Sequence, residues 1–549
     1  MKRSALALTG IGAAAVGLVV GGIPTAAVAA SVDPTSFVEA VTVDGVMEHL
    51  AELQAIADAN GGNRAVGTPG YEASAHYVEQ TLREAGYTTS RQPFDAVTQE
   101  ITEYELAVIG AAAIPVVGIP FEGTTATPDG GIEGVALAPA DPLGCSDAAW
   151  EGVTPPAELW VAVVSRGECN FSDKTLTAAG LGAAAILVYN NEDGDLNGTI
   201  APQLPEYIPS VGITQAEGEA VLAELDAPVT VALNVQEVTS TVPTFTVLAE
   251  TPTGRSDNTV MLGAHLDSVP EGPGINDNGS GSAAILEIAQ QLAASGELNN
   301  QVRFAWWGAE EVGLLGSYHY TDDLAVNDPR ELEEIATYLN FDMVASPNYV
   351  ISVYDADQSS FEAPVEVPDG SIATEAVFTD YFDSIGQPWI DTAFDGRSDY
   401  DGFIANGVPA SGLFTGADGV KTDAEAALFG GVVGEQHDQN YHTAGDDLAN
   451  VNQEALGISL GAMAFATAAL ADDTSAINGV LPPAEPTPDP TTQPTADPAV
   501  PVAGPARLPA TGAEAPAVGG IAALLAVLGL AAIAIARVRR DHRVTRSDD

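Results

Sequence analysis

In the second half of the chain, short and nearly continuous hydrophobic runs alternate with longer segments of helical character. The hydrophobic runs, each of strand length, are NTVMLGAHLD, QVRFAWWGAEE and ATYLNFDMVA. The segments that follow the first two runs, GSAAILEIAQQLAAS and GLLGSYHYTDDLA, are predicted to be helices. Strands that lack polar alternation are buried on both faces, which is typical of parallel sheets covered by helices. The pattern predicts an α/β fold with a mixed, mostly parallel central sheet flanked by helices.

Two other stretches precede this region. Residues 36–87 are mainly helical in pattern, since ASAHYVEQTLREAGY places its apolar residues at helical spacing, and strand-like runs follow after Val97. Residues 105–240 instead carry a separate rhythm of short strands, with ELWVAVVSR, AAAILVYNN and PSVGITQ. Because the chain is too long for one compact core, we expect a main domain built from residues 31–104 and 241–475 and interrupted by a small β-rich insert, residues 105–240.

Part of this insert is similar to a known module. Residues 166–191, RGECNFSDKTLTAAGLGAAAILVYNN, resemble the protease-associated (PA) domain, which is often inserted into exported peptidases. The resemblance implies that the insert is a PA domain and that the two cysteines of the chain, Cys145 and Cys169, close a loop inside it. The alternative is that this segment belongs to the main fold.

Residues 1–30 are predicted to be a secretory signal peptide. Lys2 and Arg3 precede a long apolar run, and IPTAAVAAS supplies a small-residue cleavage pattern that ends near Ala29 or Ala30. A membrane anchor is the alternative for this segment. An exported chain with two cysteines is expected to contain at most one disulfide.

The C-terminal residues carry a second targeting pattern. Residues 476–507 hold a Pro-rich linker, expected to be an extended spacer. Residues 508–549 contain LPATG, an apolar run of about 20 residues that is long enough to span a bilayer, and the basic tail RVRRDHR. This order resembles a sortase sorting signal of Gram-positive bacteria, which implies cleavage between Thr511 and Gly512 and attachment to the peptidoglycan of the cell wall. Without a sortase the protein would be a single-span membrane protein; in both cases the folded part is extracellular.

The charge balance excludes one class of function. Asp and Glu outnumber Lys and Arg by 76 to 18, which gives a formal net charge of -58. Nucleic-acid binding requires a positive surface, so we expect no nucleic-acid partner. The negative charge favours solubility and cationic partners instead.

Ligand-type side chains follow three of the predicted strands at their carboxyl ends, where α/β sheets bind ligands: His265 with Asp267, Glu310 with Glu311, and Asp342. Residues i and i+2 of a strand face the same side, so Asp267 can lie beside His265 and orient its ring. Acids this close repel one another unless a positive charge lies between them. A pair of divalent metal ions is the simplest answer, and the Gly-rich loop after Asp267 lets Asp277 fold back over the strand ends.

A metal pair needs one further nitrogen ligand. Of the seven histidines, four lie in predicted helical segments or in the C-terminal tail: His49, His76, His319 and His542. The remaining candidates are His437 and His442 in EQHDQNYHTAGDDLANVN. His442, preceded by Tyr441 and followed by two aspartates, is the better candidate.

Six motifs occur in the order seen in the M28 family of dizinc metallopeptidases: HLD, NDNGSG, AEEVGLLGS, NFDM, FDGRSDYDGF and YHTAGDD. The segment NGGNRAVGTPGY, residues 60–71, is also similar to the N-terminal part of the secreted Streptomyces-type aminopeptidases in that family. The likeness covers most of residues 37–472 apart from the insert, and six ordered motifs are far more specific than a lone HxD. The chain therefore resembles an M28 peptidase that carries an inserted PA domain.

The resemblance implies a site for two Zn²⁺ ions bridged by Asp277. His265 and Asp342 would hold one ion, and Glu311 and His442 would hold the other. Histidine and carboxylate ligands with room for a water molecule are what catalytic zinc requires.

The resemblance also implies three catalytic residues. Glu310 would be the general base that takes a proton from water and passes it to the leaving amine. Tyr441 would stabilise the oxyanion through its hydroxyl, although a packing tyrosine is the alternative. Asp267 would orient His265.

Substrate contacts follow from the same likeness. In the family, the general-base glutamate and a metal-ligand aspartate hold the free α-ammonium, here Glu310 and Asp342, with backbone near residues 396–399. The side-chain pocket would be lined by Met343, Arg397 and Phe414. An apolar lining predicts Leu, Met or Phe at the substrate N-terminus; the alternative for these three residues is core packing or, for the arginine, a surface position.

The chain departs from the Streptomyces-type pattern at Asn440 and Gly445, where those enzymes carry cysteines on either side of the Tyr–His pair. A local covalent link is therefore missing. We expect the loop that carries Tyr441 to be more mobile for this reason.

Three hypotheses follow. The leading one is an extracellular, cell-wall-anchored dizinc aminopeptidase that trims free N-termini of peptides. A second, within the same fold, is a carboxypeptidase or dipeptidase, whose substrate carboxylate would need a basic clamp, for which the sequence offers mainly Arg397. A third is a non-catalytic surface binding protein, which predicts lost metal ligands, whereas all five are present.

Overall fold

The computed structural model describes residues 32–192, 194–200 and 204–483. The predicted signal peptide, most of the Pro-rich linker, the sortase motif with Thr511 and Gly512, and the C-terminal span lie outside the described residues. The helices are α1 (Pro34–Ala40), α2 (Val43–Ala59), α3 (Pro69–Ala85), α4 (Phe171–Gly180), α5 (Gln215–Glu224), α6 (Gly281–Ala293), α7 (Leu315–Asn327), α8 (Pro329–Glu333), α9 (Gly370–Ile385), α10 (Asp401–Ala405), α11 (Asp423–Phe429), α12 (Gln453–Asp472) and α13 (Ser475–Asn478).

The strands are β1 (Thr88–Ile109), β2 (Ala113–Ile114), β3 (Ile119–Pro120), β4 (Ile132–Leu137), β5 (Trp160–Ser165), β6 (Ala185–Tyr189), β7 (Ser210–Ile213), β8 (Thr230–Glu250), β9 (Arg255–His265), β10 (Asn300–Trp307), β11 (Ile335–Phe341), β12 (Ser352–Tyr354), β13 (Ile390–Thr392) and β14 (Ala410–Phe414). They form one continuous sheet in the order β13-β12-β14-β11-β9-β10-β8-β4-β5-β6-β7-β3, with β1 paired to β8 and β2 to β1. In the main domain β14, β11, β9 and β10 run parallel side by side, which confirms the predicted mixed, mostly parallel sheet.

The long strand β8 joins the main domain to the insert. Its C-terminal end pairs with β10, its N-terminal end pairs with β4, and β1 pairs antiparallel along its whole length. The predicted insert boundaries, at residues 104/105 and 240/241, fall inside β1 and β8. The chain therefore enters and leaves the insert through a single two-stranded ladder, and the Cys145–Cys169 disulfide lies within the insert.

Hydrophobic side chains alternate between two clusters, one on each face of the main sheet. On β9, Val260 and Leu262 face the larger cluster, where α2, α3, α6 and α12 pack, whereas Met261 faces the smaller cluster beside α7 and α10. The insert has its own pair of clusters on the two faces of β5. The strands are thus buried on both sides, as their continuous apolar runs predict.

Helix α12 is the one helix of the described residues that is long and apolar enough to cross a membrane, with a mean hydropathy of 1.5. It is 67% buried inside the protein, and its side chains Leu460 and Met463 belong to the larger cluster of the main domain. Its apolar character is explained by this core position.

Close packing beneath the strand ends requires a glycine at position 263 of β9. The indole Nε1 of Trp307 donates to the hydroxyl of Tyr338 at 2.8 Å, and this pair lies directly over Gly263. A Cβ atom there would lie 2.2 Å from the Tyr338 hydroxyl and 2.4 Å from Nε1 of Trp307. Neither ring can move away, because both are fully buried.

We expect Gly263→Ala to lower the free energy of unfolding by about 1–3 kcal/mol, the usual cost of overpacking a well-packed core. Gly180→Ala is the matched control, since a Cβ atom at the end of α4 meets nothing within 4 Å, and there the change should be neutral or slightly stabilising. Urea titration monitored by tryptophan fluorescence measures both variants. Equal stability of the two variants would contradict the packing argument.

Candidate metal centre and active site

Three neighbouring parallel strands end together at one edge of the main sheet. β9 ends at His265, which is in register with Trp307 at the end of β10. The chain after β10 supplies Glu310 and Glu311, and the residue after β11 is Asp342. The strand-end placement of the predicted side chains is therefore what the structure shows.

Asp277 lies between the two predicted metal-ligating histidines. Nε2 of His265 is 3.2 Å from Oδ1 of Asp277 and 3.4 Å from Oδ1 of Asp342. Nε2 of His442 is 3.2 Å from Oδ2 of Asp277 and 3.0 Å from Oε2 of Glu311. The five side chains thus form two groups of three that share Asp277, and the ligand atoms of each group lie within 4.8 Å of one another.

Several of these atoms have no hydrogen-bond partner within the protein. Nε2 of His265, Oε1 of Glu311 and Oδ1 of Asp342 are all buried and unpaired. Buried polar groups are nearly always satisfied, so unpaired atoms that converge on one point indicate a missing positive partner. Each group offers one imidazole nitrogen and two carboxylates, a donor set that zinc accepts. The residues present therefore fit a zinc site.

The electrostatics give the same indication. Burial and the neighbouring Asp277 carboxylate raise the pKa of Glu311 to about 7. Burial, with Asp342 and Asp399 nearby, raises the pKa of Glu310 well above its usual value. Although burial alone lowers the pKa of a histidine, the carboxylates of Glu310 and Asp342 raise that of His265. The cluster holds more negative charge than the protein neutralises.

The structure corrects the expected role of the Asp267 side chain. Nδ1 of His265 is 3.1 Å from the backbone carbonyl oxygen of Asp267, so the main chain orients the ring. The Asp267 carboxylate instead accepts the backbone N–H groups of Glu310 and Glu311, at 3.3 and 3.4 Å. The reason is that β9 ends at His265, and the chain turns before the carboxylate could reach the ring.

The loop that carries Asp277 is fixed by two residues to which the sequence assigned no role. Asp446 accepts the backbone N–H groups of Asn276 and Asp277, at 2.8 and 2.9 Å. The fully buried Arg64 donates to the carbonyl oxygens of Pro273 and Gly274, at 2.9 and 2.5 Å. Both lie in quoted motifs, YHTAGDD and NGGNRAVGTPGY, but their contacts depend on how distant segments meet.

Tyr441 is positioned by an arginine that is itself paired. Nη1 of Arg397 donates to Oδ1 of Asp418 at 3.1 Å, and Nη2 lies 3.4 Å from the Tyr441 hydroxyl. The Tyr441 ring stacks on His442, with ring centroids 3.8 Å apart. Arg397 is thus a partner of Tyr441 and Asp418 rather than a free charge in the pocket.

Two cavities flank the cluster and share five lining residues, namely Glu310, Glu311, Arg397, Tyr441 and His442. The first is also lined by Met343, Phe414, Tyr354 and Ala393. The second, of about 150 Å³, is closed on its far side by residues of the insert, among them Glu122 and Thr199. The cavity that contains Met343 and Phe414 is therefore one part of a larger cleft.

Two further polar residues at the site have side chains to which the sequence analysis assigned no role. The hydroxyl of Ser398 donates to Oδ2 of Asp342 at 2.7 Å, which leaves Oδ1 free to face His265. Partial burial and the Glu311 carboxylate raise the pKa of Glu122 to about 8. Glu122 comes from the insert, whose position against the main domain no local pattern could reveal.

Comparison with known proteins agrees with this arrangement. Residues 246–467 match the model of peptidase family M28, and residues 133–221, within the predicted insert, match that of the PA domain. The chain is 43% identical over 447 residues to the "Probable lipoprotein aminopeptidase LpqL" of Mycobacterium tuberculosis, covering 80% of this chain and 87% of that protein. It is 39% identical over 475 residues to an "Aminopeptidase" of Pseudomonas aeruginosa, covering 81% and 84%.

Among solved structures, an aminopeptidase from Aneurinibacillus sp. strain AM-1 superposes with a TM-score of 0.59 at 24% identity, over 79% of this chain and 95% of that one. This likeness shows the fold. The sequence identity to full-length relatives, together with the two family matches, settles the classification. The chain belongs to peptidase family M28 and carries an inserted PA domain.

Proposed function

We propose that this M28 peptidase is a zinc aminopeptidase that uses two metal ions and removes N-terminal residues from peptides. The observation that carries the proposal is the position of Asp277, shared between two histidine–carboxylate groups whose free atoms converge. The names of the relatives, "Aminopeptidase" and "Probable leucine aminopeptidase 2" from Aspergillus fumigatus, which is 41% identical, support the reaction class.

The ligand set follows from the two groups. His265 and Asp342 would hold one zinc ion, Glu311 and His442 the other, and Asp277 both. A zinc pair, when bound, supplies a water nucleophile at neutral pH and stabilises negative charge on the substrate oxygen. Ser398 holds the second oxygen of Asp342, so this ligand is oriented before any metal binds.

Glu310 is the proposed general base. Its Oε2 lies 3.8 Å from Nε2 of His265, beside the ligands, and its backbone N–H is held by Asp267. Burial raises its pKa, which suits a carboxylate that must accept a proton and then release it to the leaving amine. Tyr441, held by Arg397, would donate its hydroxyl to the oxyanion.

Recognition of a free N-terminus fits the charge of the cleft. Glu310 and Asp342 are acceptors for an α-ammonium, and Met343 and Phe414 supply an apolar wall for the side chain next to it. A carboxypeptidase would need a free cation for the substrate carboxylate. Of the described residues that line the first cavity, Arg397 is the only Lys or Arg, and it is paired with Asp418. Leu, Met or Phe is therefore the proposed preference at the N-terminus.

The first test compares Leu-p-nitroanilide with its N-acetylated form. We expect release of nitroaniline only from the free amine, because acetylation removes the charge that the carboxylates bind. Activity should be lost with a chelator and restored by zinc. Cleavage of both substrates at similar rates would contradict amine recognition, and activity that a chelator leaves unchanged would contradict the metal centre.

The second test separates the base from the ligands. Glu310→Gln should lower kcat by about 10²–10⁴-fold, the usual contribution of a general base, while zinc content measured by mass spectrometry stays near that of the wild type. Glu333→Gln, at the exposed end of α8, is the control and should change neither quantity. Parallel loss of zinc and activity in Glu310→Gln would show that Glu310 is a ligand instead.

We further propose that the protein is exported and joined to the cell wall. The support is the sequence alone: the predicted signal peptide, the Pro-rich linker and LPATG before an apolar run and a basic tail. In host cells, muramidase should release the protein after detergent extraction has failed, and deleting LPATG should make it extractable by detergent. Detergent extraction of the unaltered protein would point to a membrane anchor instead.

A further inference from the structure

The insert forms one wall of the cleft. Glu122 follows β3 and lines the second cavity opposite Glu310 and Glu311. Its main chain is fixed on both sides, because its N–H donates to the carbonyl of Gly198 at 2.8 Å and its carbonyl accepts the N–H of Ile200 at 2.9 Å. The half-buried carboxylate is therefore presented to the cavity from a rigid position.

The two cavities meet at the reacting groups, which line both of them, and they differ in their remaining walls. Met343 and Phe414 line only the first cavity, and Glu122 lines only the second. A peptide cleaved at the cluster must place its N-terminal residue on one side and its second residue on the other. Since the apolar wall belongs to the first cavity, the second cavity receives the second residue of the peptide.

The charges around the second cavity favour a cation there. Glu122, Glu310 and Glu311 all line it, and the one Lys or Arg among its described lining residues, Arg397, is already paired with Asp418. Glu311 would bind metal and Glu310 would act as the general base. Glu122 is therefore the lining carboxylate that remains available to a cation of the substrate. Positive charge brought into the cavity also favours the ionised form of this carboxylate.

We propose that Glu122 binds the side-chain cation of the second substrate residue, so that the enzyme favours peptides with Lys or Arg immediately after the cleaved bond. This specificity rests on the proposed aminopeptidase function and extends it: the PA insert supplies the subsite for the leaving peptide. Glu122 is a substrate-binding residue and takes no part in the bond-breaking step.

The test compares Leu-Lys-Gly with Leu-norleucine-Gly, whose second side chain has a similar apolar stem but no charge. Release of free leucine, followed by chromatography, gives kcat/KM for each peptide. We expect the full-length wild-type enzyme to favour the lysine peptide by about fivefold, as for a partly exposed ion pair. Glu122→Gln should bring the ratio of the two values close to one, and Glu122→Lys should favour norleucine.

Glu133→Gln is the matched control, since Glu133 is an exposed glutamate on β4 of the same insert; its ratio should equal that of the wild type. The ratio is taken within each variant, so a change in the folded fraction cancels. An unchanged preference in Glu122→Gln, or no preference in the wild type, overturns the proposal. Failure of the wild type to cleave Leu-p-nitroanilide as well would place the fault in the proposed function, and the subsite would fall with it.

Discussion

Four buried carboxylates lie close together near the carboxyl ends of three neighbouring strands. The repulsion between them is the main constraint on the structure of the site. Asp277, Glu310, Glu311 and Asp342 are buried, and they meet the buried His265 and the partly exposed His442. Like charges at this separation are strongly unfavourable in a low-dielectric interior. All four carboxylates can be ionised at once only with positive charge among them, which is why the arrangement points to metal ions rather than to a solvated acidic surface.

The residues around the cluster restrict the conformations of the metal-ligand segments. Asp267 and Asp446 bind backbone N–H groups next to the ligands, and Arg64 binds backbone carbonyls of the loop before Asp277. Ligands fixed in this way lose little conformational entropy when a metal binds. Burial lowers the pKa of Arg64 to about 10, while the carboxylates of Asp267 and Asp446 favour its charged form.

The sequence predicted the sheet, and it placed His265, Glu310, Glu311 and Asp342 at neighbouring strand ends, because parallel strands end at the same edge. The full set of five ligands, with Asp277 and His442, was implied by the resemblance to the M28 family. Three details needed the structure. The side chain of Asp267 accepts hydrogen bonds from the segment after β10, because the chain turns after His265. Arg397 forms an ion pair with Asp418, which is 21 residues away in the sequence. The contribution of Glu122 depends on how the insert lies against the main domain, and this is decided by packing between distant segments rather than by local pattern.

Strand β8 belongs to both halves of the molecule. Because it pairs with β10 at one end and with β4 at the other, the insert extends the sheet of the main domain and is not joined to it by a flexible linker. The position of the insert is therefore tied to the β1–β8 ribbon, whose register shifts between Ile101 and Glu103. Moving the wall that the insert supplies away from the cluster must therefore bend a hydrogen-bonded ladder, so the cleft resists widening more than one closed by a flexibly tethered module would.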